Sequence, residues 1–428
     1  MNILKSATID GLWGSLRPIN FSFDDEYNFI IGKNGCGKTT VINLIAAVLV
    51  CDYERLEKIP FTKITLYLKS RNGRKIPSIE VSKGVSGSIP YFDIVYIVRH
   101  SQGARPVRIV FDDLREFAFA RHLAFSKFKD RSFQNLAGGA KETIGKLIKV
   151  SWLSVHRKSD GDQGREDRMT MPAVDQKLSS LANDLVRYFS SMSKKYEDQT
   201  KEFQKKSFLS LITSEGHDKV MDFVKKIDLA SEKKGLSDVF ELLQLEPKEY
   251  ASKVQRSYDK FSTARSLFIN NSPMSLDAFF AVFNAIKAHS LVQYHEDLQR
   301  ERGEIFFPRE EFVYVLNNLF EGRKKVSISP KNELLVQTKA GDYIKLEDLS
   351  SGEKQLIIIL GEALLQEGES VVYIADEPEL SLHVSWQEKL TRMIIRLNPK
   401  AQIVFATHSP DIVGVHQDKV LDMEGLTA

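Results

Sequence analysis

Hydrophobic and polar positions alternate in short runs at the start of the chain, from Ile3 onward, again at Ile19-Asn20-Phe21-Ser22-Phe23, and then at Tyr27-Asn28-Phe29-Ile30-Ile31. A period of two predicts strands, and the clustered apolar positions of the third predict that it is buried. Gly11 to Leu16 reads as a turn. A glycine-rich stretch, Gly32 to Thr40, follows the third strand at once and leads into an apolar run with helical character, Val41 to Val50. Residues 61–98 hold three alternating blocks, Ile64 to Leu68, Lys75 to Val81 and Tyr91 to Val98, separated by Arg71-Asn72-Gly73-Arg74 and Gly84 to Ser88. Turn residues between alternating runs predict an antiparallel meander. Residues 112–149 read as mainly helical, and Lys149 to Val155 returns as a strand.

Arg157 to Arg168 contains no apolar residue and is expected to be a solvated loop at a domain border. Beyond it, Leu178, Leu181, Leu185, Tyr188, Met192 and Tyr196 recur at steps of three and four, the signature of one face of a long helix. Helical patterns continue from about 217 to 322, including Leu276 to Arg300. Strands are expected again at Lys325 to Ser329, Glu333 to Thr338 and Asp342 to Leu346, after which helix and strand alternate through Val404-Phe405-Ala406. The predicted organisation is an α/β lobe with a mixed sheet in two pieces, residues 1–156 and 323–428, interrupted by a helical lobe at 157–322. There is no internal repeat and no low-complexity tract.

Composition narrows the class. With 428 residues the chain has material for roughly two or three domain-sized units. Its 60 Lys+Arg against 57 Asp+Glu, a net charge of +3, argues against a protein wrapped wholesale around nucleic acid, which needs a strong basic excess. Local basic clusters at Arg71/Arg74/Lys75, Arg105/Arg108, Lys194/Lys195, Lys205/Lys206, Lys233/Lys234 and Arg323/Lys324/Lys325 mostly sit beside acids and read as solvated faces, with a nucleic-acid path across a dimer as the alternative. Cys36 and Cys51 are too few for a disulfide framework or a four-ligand zinc site and fit a reducing compartment. The most apolar stretches, Val41 to Cys51 and Leu356 to Leu365, fall short of the roughly 18 residues of a membrane span, and the start MNILKSATIDGLWG lacks the pattern of a secretory signal. The expected location is the cytoplasm, away from any membrane.

Gly32-Lys33-Asn34-Gly35-Cys36-Gly37-Lys38-Thr39-Thr40 fits the phosphate-loop pattern G-x-x-x-x-G-K-[ST], with a strand before it and a helix after. Gly32, Gly35 and Gly37 let backbone N–H groups turn onto a phosphate together with those of Asn34, Thr39 and Thr40. Lys38 supplies charge to the β- and γ-phosphates of ATP, and the Thr39 hydroxyl is a ligand for Mg²⁺. Val371-Val372-Tyr373-Ile374-Ala375-Asp376-Glu377 is an apolar strand ending in two carboxylates. Asp376 suits Mg²⁺ at the strand tip, and Glu377 suits the base that polarises an attacking water. Leu349-Ser350-Ser351-Gly352-Glu353 precedes a helical run and has the form of a helix cap with a first-turn acid, a ready anion site.

With these residues in place, the chain resembles the ABC-class ATPases. Ser350, Gly352 and Glu353 match that family's signature motif, and Ile403 to Pro410 resembles its switch-histidine strand, with His408 near the γ-phosphate. The resemblance implies a two-lobed ABC ATPase head, α/β with a mixed-sheet nucleotide lobe and an inserted helical lobe. It also implies a head-to-tail homodimer, or a higher oligomer of dimers, sandwiching ATP and Mg²⁺. In such a dimer Ser350 and Gly352 of one copy close on the γ-phosphate held by the other, and Lys38, Glu377 and His408 serve hydrolysis. Departures are informative. The sequence after the acid pair, Pro378-Glu379-Leu380-Ser381-Leu382-His383, places His383 where transporter-type members carry an aspartate, and is similar to the overcoming-lysogenisation-defect group and its defence relatives. The lid-loop glutamine has no assignable counterpart, with His156 and Arg157 the residues at that place. The long insertion between Lys38 and Ser350 is unlike a transporter subunit, and no Cys-x-x-Cys hook interrupts the helical lobe.

No fused acidic nuclease region follows the switch strand before Ala428, so any cutting of nucleic acid is expected of a separate polypeptide. The chain most resembles stand-alone anti-phage ATPases such as those of the PARIS and Septu systems. That resemblance implies a sensor or regulatory subunit that controls a nuclease effector from the same operon. The alternative is a DNA-clamping repair or recombination ATPase of the RecF and Rad50 kind.

Overall fold

A computed structural model of the chain describes residues 1–71, 73, 75–85, 92–111, 131–153, 172–212, 224–270 and 272–427. It begins with strands β1 (Asn2–Asp10), β2 (Ile19–Ser22) and β3 (Tyr27–Ile31), then helices α1 (Lys38–Val50) and α2 (Tyr53–Lys58). Strands β4 (Lys63–Ser70), β5 (Ser78–Val85), β6 (Phe92–Arg99) and β7 (Val107–Phe111) follow, then α3 (Arg131–Leu147) and β8 (Lys149–Leu153). Helices α4 (Ala173–Ile212), α5 (Leu229–Leu242), α6 (Pro247–Ile269) and α7 (Leu276–Phe320) come next, and strands β9 (Lys324–Ile328), β10 (Leu334–Thr338) and β11 (Tyr343–Ile344) after them. The remainder is α8 (Ser351–Leu365), β12 (Val371–Asp376), α9 (Val384–Leu397), β13 (Ala401–Ala406), α10 (Pro410–Val413), β14 (Val420–Asp422) and α11 (Met423–Thr427).

The chain divides into two compact units, one formed by Met1–Val186 with Phe312–Ala428 and the other by Arg187–Glu311. In the first, a parallel sheet runs in the order β14-β3-β13-β12-β8, and an antiparallel sheet in the order β2-β1-β4-β5-β6-β7. A small antiparallel sheet, β11-β10-β9, completes the α/β architecture. Strand β12 is apolar without alternation because a central parallel strand is covered on both faces, and every residue from Val371 to Ala375 is buried. Helix α1 is apolar all round for the same reason. Val41, Ile42 and Leu44 to Leu49 are buried in one core with Leu4, Ile9, Ile64 and Leu66 of the antiparallel sheet and Ile30, Val372, Ile374 and Val404 of the parallel one. Gln402, fully buried, joins the sheets: its amide accepts from the Leu4 N–H at 2.8 Å and donates to the Leu4 carbonyl at 2.8 Å.

The meander exists, with two differences from its sequence pattern. The middle strand lies at Ser78–Val85 rather than Lys75–Val81, because Ile79 and Val81 are the inward positions that pair with Leu66 and Ile64 of β4. A further edge strand, β7, pairs with β6 although Arg105, Pro106 and Arg108 mask its pattern. On α4 the buried face runs Leu178, Leu181, Leu185, Phe189, Met192; the helical period selects Phe189 over its neighbour Tyr188. The charged stretch from Arg157 to Arg168, and the His156/Arg157 position expected at the lid loop, lie outside the described residues.

The second unit has its own core, in which Tyr250, Val254, Tyr258 and Phe261 of α6 meet Leu236, Val282 and Val292. Helix α6 starts cleanly: Pro247 occupies its first turn and the Glu249 carboxylate accepts from the Glu246 N–H at 2.9 Å. No described helix is long and apolar enough to cross a membrane.

Candidate active site

The parallel sheet brings chemistry to one edge. Register pairs Ala406 with both Ile30 and Asp376, so the phosphate loop after β3, the acid pair ending β12 and the switch loop after β13 leave the sheet side by side at its carboxyl end. Open parallel sheets bind ligands at that end.

The glycines of the loop carry backbone that other residues resist. Gly35 and Gly37 have φ of +84° and +94°, and a Cβ at Gly37 would stand 1.9 Å from the ring of Trp13. Trp13, itself at φ 53° and half-exposed, therefore lies directly on the loop. The Lys38 ammonium is buried and donates to the carbonyls of Gly32 at 2.7 Å and Lys33 at 3.0 Å, which holds it across the loop. Lys33 itself points elsewhere, pairing with Glu424 at 3.2 Å.

Thr39 Oγ1 donates to Asp376 Oδ1 at 3.1 Å. Burial pushes the Asp376 carboxyl above its ordinary value, and the Glu377 and Glu379 carboxylates add to that against the Thr39 hydroxyl and Lys38 ammonium. A divalent cation relieves such a crowd of negative charge. A hydroxyl and one carboxylate fit Mg²⁺, which takes few protein oxygens and completes its shell with phosphate and water. No cluster of three or more His, Cys, Asp or Glu suited to a metal occurs among the described residues.

Glu377 has φ 48°, a left-handed conformation that is costly for a side-chain residue and is concentrated at functional sites. Its N–H donates to the Ala406 carbonyl at 2.8 Å, which fixes the twist, and its Oε1 lies 3.6 Å from His408 Nε2. Both side chains are about one-third exposed. The arrangement puts a carboxylate with open access to water beside an imidazole, at the strand ends next to the phosphate loop.

Ser350, Gly352 and Glu353 are not in this group. They line a separate cleft of about 520 Å³ with Arg323, Ser381, His383 and Trp386, and no phosphate-loop residue lines it. Ser350 caps α8 reciprocally: its hydroxyl accepts from the Glu353 N–H, and the Glu353 carboxylate accepts from the Ser350 N–H at 2.8 Å. Burial alone would raise the Glu353 carboxyl, but Lys324 at 2.7 Å and the Ser350 N–H hold it below the usual value. Its side chain is thus engaged within the chain. His383 caps α9 through Nδ1, which accepts from the Ser385 N–H at 3.3 Å. The imidazole takes the acceptor role that a carboxylate takes at other helix starts.

Gly352 is needed for a different reason from the loop glycines. A Cβ there would stand 2.4 Å from the Ser381 carbonyl, a backbone atom held at φ 70°. Gly352→Ala should destabilise the protein by about 1–3 kcal/mol, visible as a lowered Tm. Gly303 in α7 has nothing within 4 Å of a Cβ, and Gly303→Ala should raise stability by about 0.5–1 kcal/mol. An unchanged or raised Tm for Gly352→Ala would refute the packing role of Gly352.

Two residues that the sequence pattern did not single out belong to the site. Glu379 is buried and bonds the switch loop, and Trp13 covers the phosphate loop. An aromatic between two glycines, Gly11 and Gly14, was the available signal for Trp13; Glu379 is one acid among several after β12.

A curated relative, the Septu protein PtuA of Bacillus thuringiensis, is 36% identical over 95 residues, 19% of this chain and 24% of that protein. The retron Vc95 probable ATPase of Vibrio cholerae serotype O1 biovar El Tor is 22% identical over 404 residues, 91% of this chain and 67% of that one. The chain thus matches about a quarter of PtuA and two thirds of the retron ATPase. Among solved structures, the Smc head domain of Pyrococcus furiosus, bound to the C-terminal domain of ScpA, aligns over 99% of this chain and 93% of that one at 13% identity, with a TM-score of 0.43. The family profile described as an AAA ATPase domain matches residues 13–413. With nearly its whole length matched, the chain belongs to the AAA ATPase domain family.

Proposed function

We propose that the protein binds and hydrolyses ATP at the carboxyl edge of its parallel sheet, and does so as a head-to-tail dimer. The observation that carries this reading is the pairing of Glu377 with His408 at 3.6 Å beside the Thr39–Asp376 contact. Lys38 and the N–H groups of Asn34, Gly35, Gly37, Thr39 and Thr40 bind the phosphates. Thr39 and Asp376 would hold Mg²⁺, which neutralises phosphate charge when bound. Glu377 accepts the proton of the attacking water, and His408 orients that water or the γ-phosphate from the switch loop. Ser350, at the start of α8, offers its hydroxyl and Gly352 its N–H to the γ-phosphate held by a second copy, across the cleft they line.

The output of this cycle is the regulation of a separate effector: the chain is the sensor or regulatory ATPase of an anti-phage system whose nuclease is another polypeptide. The Septu protein and the retron ATPase among its relatives support the defence setting of this reading. The test is native mass spectrometry of tagged Glu377→Gln protein expressed with its genomic neighbours and purified with and without ATP. A second polypeptide retained in fixed ratio is the expected result. A bare dimer that carries DNA only when ATP is present would replace the effector role with that of a DNA clamp, whose binding weakens steeply with salt.

A further inference from the structure

Among the acids around the site, Glu379 has no part in the cycle described above, yet it is the most extensively bonded. It is buried, and its Oε1 accepts from Thr407 Oγ1 at 2.5 Å, from the His408 N–H at 2.9 Å and from the Ser409 N–H at 3.3 Å. The same loop is closed from the other side. Thr407 Oγ1 accepts from the Ser409 N–H at 2.9 Å, and Ser409 Oγ donates to Gln387 Oε1 at 2.6 Å. Gln387 in turn donates to the Leu382 carbonyl at 2.9 Å. The backbone around His408 is thus tied to the 378–383 loop at several points, and Glu379 is the one that bonds His408 itself.

The other oxygen, Oε2, is buried without a hydrogen-bond partner among the described residues. A buried carboxylate with one unsatisfied oxygen carries a desolvation cost that the bonds to its other oxygen must offset. A carboxylate kept at such a place is explained by what it positions. Three donors converging on one oxygen set the switch loop in a single arrangement, and that arrangement places the His408 ring against Glu377.

We propose that Glu379 is a positioning residue for hydrolysis: it acts through the backbone of the switch loop to hold His408 at Glu377, without touching nucleotide. The proposal rests on the hydrolytic reading of the site. It also accounts for an acid at this position directly after the acid pair and Pro378.

The test compares wild type, Glu379→Ala and Glu379→Gln in steady-state ATP hydrolysis, in ATP binding by calorimetry, and in amide hydrogen exchange of the nucleotide-free protein. Glutamine retains a carbonyl oxygen for the three donors, whereas alanine removes it. Glu379→Ala should lower kcat by about 30- to 100-fold while the Kd for ATP stays within about twofold, and Glu379→Gln should recover to within about threefold of wild type. Exchange at His408 and Ser409 should accelerate more than about tenfold in the alanine variant alone. Unchanged kcat in Glu379→Ala, or an equal loss in both variants, overturns the proposal, as does a parallel loss of affinity and turnover. If wild type itself turns over no ATP, the hydrolytic reading fails, and the exchange measurement then decides separately whether Glu379 holds the loop.

Discussion

Glu377→Gln should bind ATP as tightly as wild type and turn it over about a thousandfold more slowly, within the range that loss of a positioned general base produces. The amide has the shape of the carboxylate and leaves the backbone conformation at φ 48° and the bond from its N–H to Ala406 intact, so the fold has no reason to change. What disappears is the capacity to take a proton from water next to His408. In the proposed head-to-tail dimer hydrolysis opens the nucleotide clamp, so the variant should accumulate as an ATP-bound dimer. Single-turnover hydrolysis and size-exclusion chromatography with and without ATP read the two effects separately. Wild-type turnover in the variant would remove Glu377 from the chemistry and leave its strained backbone without a functional explanation.

Lys38→Ala should abolish useful ATP binding. Its ammonium is buried and held by the Gly32 and Lys33 carbonyls, so its position is set before nucleotide arrives and little ordering entropy remains to oppose binding. Removing one member of a close, largely desolvated charge pair costs about 2–5 kcal/mol, which corresponds to a Kd raised by roughly 30- to several thousand-fold. Lys38→Arg should not rescue it, because a planar guanidinium cannot occupy the space between two carbonyls of a tight loop. Calorimetric titration with ATP in the presence of Mg²⁺ measures the change, and circular dichroism of the same samples checks that the fold is retained. An unaltered Kd would mean that phosphate binding is carried by the N–H groups alone.

Glu377→Gln and Lys38→Ala act on opposite halves of the cycle, and this makes them informative together. A protein that loses effector association in Lys38→Ala and gains it in Glu377→Gln responds to bound ATP, whereas one that loses it in both responds to turnover.

The parts of this protein that were legible in its sequence are those whose cause is local. The phosphate loop announces itself because a buried strand, a run of glycines and a helix must follow each other within a few residues for N–H groups to converge on a phosphate. Strand β12 was readable because a strand covered on both faces is apolar at every position, and the start of α8 because Ser350 and Glu353 cap it reciprocally three residues apart. The alternation of β4 and β6 showed equally well. Strand β7 did not, since Arg105 and Pro106 directly before it read as a break and an edge strand, with one free side, tolerates Arg108.

The tertiary structure alone decided which distant residues meet. Glu379 and Thr407 are separated by 28 positions, and their pairing leaves no periodicity or spacing to read. The contact of Trp13 with Gly37, and the approach of the Ser381 carbonyl to Gly352, are likewise products of packing. By itself the sequence determined the residue types proposed to bind and cleave a nucleoside triphosphate, because that chemistry demands a loop, a cation and carboxylates in recognisable local settings. Which carboxylate faces water and which holds a loop was settled only when the parallel register of β3, β13 and β12 set their ends side by side, since a side chain's role depends on the neighbours that the folded sheet provides.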